Sequence, residues 1–151
     1  MREVRADIEI ATLPETALRA FVDIEMMRRW GGVDRGLVEE CEGGVWALAW
    51  EPSDKGFRYV TTGTVKSFQP GDCLRIENLV YFNPEQMVLG PTVLTVKVDG
   101  EQDKTRVSVC REGYRDGLDW DWYYESVVHG WPNALAHLKR FLESTVEQEA
   151  A

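Results

Sequence analysis

The chain has 151 residues, a length that suits one domain over residues 1–151 and buries a core without disulfide or metal staples. Its formal net charge is −9 with no basic run, so nucleic acid and anionic membrane surfaces are repelled. Cys41, Cys73 and Cys110 form no CxxC pair, the N-terminus MREVRADIEI lacks a signal-peptide apolar run, and no stretch reaches membrane-spanning length, which points to reduced thiols in a cytoplasmic protein.

Val4, Ala6, Ile8 and Ile10 alternate with Arg5, Asp7 and Glu9, the period of a half-buried strand. The pattern changes at Thr12-Leu13-Pro14-Glu15. Thr12 is placed to cap a helix, Glu15 lies three residues on as in a capping box, and Pro14 suits the first turn. Leu18, Phe21 and Val22 give that helix its stripe, and a second short helix runs from about Ile24 to Trp30 before Gly31-Gly32. From Val33 to Glu112 the pattern is strand after strand. Leu37–Cys41, Val45–Trp50, Arg58–Phe68, Leu74–Phe82, Thr92–Val98 and Thr105–Arg111 are separated by turn residues such as Pro52–Gly56, Gln69–Asp72 and Asp99–Lys104. Strands joined by turns predict an antiparallel meander.

The last element is one long helix over Asp119–Leu142. Trp120, Tyr124, Val127, Val128, Trp131, Leu135, Leu138, Phe141 and Leu142 lie on one stripe. Asp119 and Asp121 suit the positive end of its dipole. Pro132, inside it, removes one backbone bond and predicts a kink or bulge near Val128–Trp131. The class is therefore α+β: a curved antiparallel sheet of about six to seven strands wrapped round a long C-terminal helix, with two short helices after the first strand.

Several segments resemble a known family. Ala11–Phe21 followed by Trp30-Gly31-Gly32, Gly63-Thr64-Val65 leading to Phe68-Gln69-Pro70 and Leu74-Arg75-Ile76, Thr105–Val109, and Gly130-Trp131 before Leu135, Leu138 and Leu142 carry the resemblance. In order and spacing they are similar to the START-like (SRPBCC) superfamily with its helix-grip fold, and most to the group named after homologues of the heat-shock-protein 90 ATPase activator. The resemblance implies a cavity between sheet and long helix, in which some relatives bind lipids or polyketides and a few catalyse cyclisation, while many have no established activity. Relatives commonly carry a histidine and a Gly-Phe pair after the penultimate strand, where this chain has Arg111-Glu112-Gly113-Tyr114. The run Asp119–Tyr124 is also unusually aromatic.

The candidate site residues follow from these elements. Trp30, Trp46, Trp50, Tyr81, Trp122, Tyr123 and Trp131 supply apolar walls with polar tips for a pocket. Trp46 and Trp131 also suit plain core, on otherwise aliphatic stripes. Trp122 and Tyr123, off the main stripe or at its edge, suit a pocket rim or an exposed interface. Arg111 shares its parity with Val107 and Val109, so it enters the cavity if they face inward, with Glu125 or an anionic or carbonyl ligand as its partner. If the strand frays at Cys110, Arg111 is solvated instead. His129 shares a helix face with Glu125, as an acid–base pair or as an ordinary hydrogen-bonded histidine. His129 and His137 are too far apart to chelate a metal, and neither a metal nor a cofactor is expected. Met87-Val88-Leu89 reads as a lid, a homodimer patch or a strand end.

Three functions stay open at this level. One is a container for a small hydrophobic or aromatic ligand. Another is a cyclase- or hydrolase-type enzyme using Arg111, Glu125 and His129. The third, implied by the group's name alone, is a chaperone-interacting, stress-related protein.

Overall fold

The computed structural model describes residues 2–101 and 103–150. The alternating segment Arg2–Ile10 forms β1 at one edge of a seven-stranded antiparallel sheet. Two helices follow, α1 (Pro14–Arg19) and α2 (Ile24–Gly31). The chain then meanders through β2 (Arg35–Val38), β3 (Val45–Ser53), β4 (Gly56–Gln69), β5 (Cys73–Phe82), β6 (Leu89–Glu101) and β7 (Lys104–Tyr114). It ends in α3 (Leu118–Ala150). The order β1-β7-β6-β5-β4-β3-β2 brings the last strand back against the first. This is the α+β helix-grip arrangement expected from the strand and helix order.

Two local expectations need correction. Thr12 does not cap α1: Pro14 opens the helix, so Leu13 occupies the cap position and no side chain bonds there. Thr12 is instead buried, and its carbonyl accepts from Thr105 Oγ1 at 2.7 Å. The second strand is Arg35–Val38 rather than Leu37–Cys41, because Glu39–Gly44 closes a turn through Cys41 N–H to Glu39 O and Gly44 N–H to Cys41 O. The second helix is as expected and better anchored: Asp23 Oδ1 accepts from Met26 N–H, and Gly32 ends it at φ 67°.

The sheet is bent where its ladder is interrupted. Register shifts fall at Thr62/Thr64 and Val65/Ser67 in β4 and at Ile76/Leu79 and Leu79/Tyr81 in β5. Gly63 sits at one of them, where a Cβ would lie 2.5 Å from Ile76 Cγ2. The concave face so made receives α3. Leu135, Leu138 and Leu142 are sealed against Val65, Leu74, Ile76 and Val107 in the main core. Lys139 Nζ bonds the Glu9 carbonyl and the Glu143 carboxylate, each at 2.8 Å, and Glu143 also accepts the Ala11 N–H at 3.0 Å. These contacts moor the C-terminal half of α3 to the end of β1. Pro132, on the exposed side, does not interrupt the helix, which continues as one element.

Candidate functional site

Towards its N-terminus α3 leaves the aliphatic core and meets a second cluster. Val4, Leu89, Tyr114 and Tyr123 are buried there, with Tyr81, Trp120, Tyr124, Val127 and Trp131 packed on them. Between the two clusters lies a cavity of about 400 Å³, within the range that holds a drug-sized ligand. Its floor is the concave sheet at Trp46, Leu48, Leu79 and Leu94, and its roof is α3 at Val127, Trp131 and Ala134. Trp30, Trp50, Tyr81 and Trp122 complete the walls. A second space opens beside it, sharing Trp50, Thr61, Tyr81, Arg111 and Tyr123 and adding Gly32, Glu51 and Tyr59. It is the more open of the two, and we refer to it as the mouth.

The tryptophans are held by their ring nitrogens, each at 2.9 Å from a main-chain carbonyl. Trp46 Nε1 donates to Phe21 O, Trp30 Nε1 to Ala20 O and Trp50 Nε1 to Gly31 O. Trp46 and Trp50 therefore lash α2 and the loop before it to β3, and Trp30 ties α2 back to the end of α1. Their polar tips are satisfied there, and their ring faces are left to the cavity. Trp46 is both core and wall, and so is Trp131. At the mouth, Tyr81 stacks on Tyr123 (5.2 Å, 8°) and on Tyr59 (6.5 Å, 10°), with Trp122 tilted beside it.

Arg111 is the single charged residue lining the cavity among the described residues. Thr105, Val107, Val109 and Arg111 are all buried on one face of β7, so the strand does not fray and the guanidinium points inward. It remains 9% exposed. Nε and Nη2 reach Thr92 Oγ1 at 3.4 Å, Nη2 also donates to the Tyr123 hydroxyl, and the guanidinium carbon lies 5.1 Å from the Tyr123 ring centre. No carboxylate pairs with it among the described residues. Thr92 Oγ1 in turn donates to Leu79 O at 3.3 Å. Burial pushes the Tyr123 hydroxyl above the ordinary phenol range, against the opposing pull of Arg111. It also raises Tyr114, whose buried hydroxyl has no hydrogen-bond partner among the described residues.

Glu125 is not the partner of Arg111. Glu125 and His129 pair with each other at 3.6 Å on the outer face of α3, with side chains 65% and 79% exposed. Neither lines the cavity. The structure thus brings together Trp30, Trp46, Trp50, Tyr81, Arg111, Trp122, Tyr123 and Trp131, and leaves Glu125 and His129 outside. Tyr123 is more central than its sequence position suggested. The row Tyr123–Val127–Trp131–Leu135 steps by four along the face turned to the sheet, while Tyr124 lies on the flank with the Arg2 guanidinium 4.6 Å from its ring centre.

Thr92 was not foreseen as a site residue, although it shares inward parity with Leu94, Val96 and Val98. Of the apolar trio Met87-Val88-Leu89, the first two are exposed and Leu89 is fully buried at the start of β6. Among the described residues no group of acidic, histidine and cysteine side chains is arranged to hold a metal, and no helix is long and apolar enough to cross a membrane.

Residues 11–143 match the model of a family described as Activator of Hsp90 ATPase homolog 1-like protein. No curated protein matches the sequence. The fold is similar to that of a protein from Mesorhizobium loti (20% identity, TM-score 0.73, 95% of this chain and 98% of that one). It is also similar to the Aha1 dimer from Colwellia psychrerythraea (15%, 0.70, 95% and 97%). The AHSA1 protein from Silicibacter pomeroyi is a third likeness (17%, 0.70, 97% and 99%). At these identities the likeness is one of fold.

Proposed function

The chain belongs to the family of Activator of Hsp90 ATPase homolog 1-like proteins, within the START-like superfamily, and on that premise we propose that it is a binding protein for a small hydrophobic, aromatic molecule. The observation that carries this reading is the cavity of about 400 Å³ between the curved sheet and α3, walled by tryptophan and tyrosine faces. Rings of this kind offer large contact area at little cost in side-chain freedom. The walls are held in place by the tryptophan ring nitrogens, so the site is largely formed before a ligand arrives. The acid–base pair Glu125–His129 has no access to this space, which favours binding over chemistry.

The test is native mass spectrometry of protein purified from its own host, paired with a titration of the ligand-free protein with a neutral aromatic probe, methyl 2-naphthoate. The reading expects a small non-covalent adduct or saturable probe binding that quenches tryptophan fluorescence. A bare protein mass together with no probe binding overturns it.

A further inference from the structure

Arg111 is costly where it stands. A guanidinium taken out of water loses several kcal/mol of hydration, and buried charges are normally matched by an opposite charge. Here the neighbours within hydrogen-bond distance are two neutral hydroxyls. Thr92 is fully engaged, since it accepts from Arg111 and donates to Leu79 O. Nη1 of Arg111 donates to no group among the described residues, and it is not sealed against protein atoms. Tyr123 accepts from Arg111, so its own O–H remains to be given, and burial keeps that proton in place well into the alkaline range. Two donors, one charged and one neutral, are therefore left without acceptors among the described residues at one point on the wall. That point is where the deep cavity meets its mouth, because Arg111 and Tyr123 line both spaces.

We propose that the ligand is an aromatic monocarboxylic acid, bound with its carboxylate on Arg111 Nη1 and the Tyr123 hydroxyl and its rings in the cavity beneath α3. This rests on the binding reading above and specifies its ligand class. A carboxylate has two oxygens and one negative charge, so it can take a charge-assisted bond from Nη1 and a second from the Tyr123 hydroxyl. One cation and no second positive group among the lining residues suits a monoanion, not a phosphate dianion. The head at the mouth keeps the charge near water, while the rings lie against Trp46, Trp131 and Phe21. The acidic surface of the protein discourages polyanions for the same electrostatic reason.

The experiment compares 2-naphthoate with its uncharged methyl ester by calorimetric titration, in the wild type, Arg111→Met and Arg111→Lys. The wild type should bind the acid roughly 10–100-fold more tightly than the ester, the range expected of hydrogen bonds to a charged group. Arg111→Met should abolish that preference, so that acid and ester bind alike. Arg111→Lys, which keeps the charge but loses the bonds that hold the guanidinium against Thr92 and Tyr123, should retain part of it. Circular dichroism of each variant separates loss of fold from loss of selectivity. Equal binding of acid and ester, unmoved by Arg111→Met, would overturn the carboxylate assignment and leave the container reading standing. Binding of neither probe by folded wild-type protein would overturn both.

Discussion

Replacing Arg111 by methionine should make the ligand-free protein more stable. Three attractions are lost. The bond from Nη2 to the Tyr123 hydroxyl is charge-assisted and contributes about 1.5–3 kcal/mol. The contacts to Thr92 at 3.4 Å are long and contribute little. The guanidinium over the Tyr123 ring adds about 0.5–2 kcal/mol. Against these stands the desolvation of a charge in a side chain 9% exposed, a penalty of several kcal/mol. A methionine of similar length also gains about 1.5–3 kcal/mol from burial. The balance favours the variant by about 2 kcal/mol, which raises Tm by roughly 4–8 °C for a chain of this size. Thermal and urea unfolding of both proteins, with an unchanged urea slope, measure it. A Tm lowered by several degrees in a cooperatively folding variant would refute the reasoning, because Arg111 would then be matched by the protein itself and would not be waiting for a ligand.

The two halves of α3 should respond oppositely to substitution. Ala134→Phe projects into the cavity, so it should leave Tm unchanged or higher and abolish binding of methyl 2-naphthoate, read by tryptophan quenching. Leu138→Ala, in the sealed half, should cost about 2–5 kcal/mol in urea unfolding. Glu125→Gln and His129→Gln should leave probe affinity unchanged and stability within about 0.5 kcal/mol, since both side chains face solvent. Glu143 is held below the usual carboxylate range, first by its bond from Lys139 and then by the Ala11 N–H. A depressed folded pKa means that its stabilisation is present above the unfolded carboxylate value of about 4.3 and is lost as pH falls through the lower, folded value. The Tm of Glu143→Gln should therefore lie below the wild type at neutral pH, and the gap should close on acidification.

Most of the architecture was legible because its signals are local. The alternation of Val4, Ala6, Ile8 and Ile10 marked β1, and parity with Val107 and Val109 turned Arg111 inward once β7 extended to Tyr114. The aromatic walls were legible for the same reason: Trp46, Leu48 and Trp50 share a face of β3. What escaped depends on rotation and on long-range contact. Tyr123 lies four residues before Val127 on the sheet-facing row of α3, at the edge of the stripe, where the sequence leaves rim and interface equally open. Glu125 has the right charge for Arg111 but is turned to solvent, where it pairs with His129. Thr12 lost its cap role to a one-residue offset set by Pro14, and then found a partner in Thr105, far along the chain. Thr92 looked like an ordinary strand residue, since only the fold puts it beside Arg111.

A crystal structure of the protein grown with 2-naphthoate tests the central claim most directly. The account predicts electron density for the ring system between Trp46 and Trp131, with the carboxylate within about 3 Å of Arg111 and the Tyr123 hydroxyl. It would be contradicted by a cavity filled by the side chains of Trp46, Trp50 and Trp131, with the probe absent and Arg111 paired to a carboxylate of the chain.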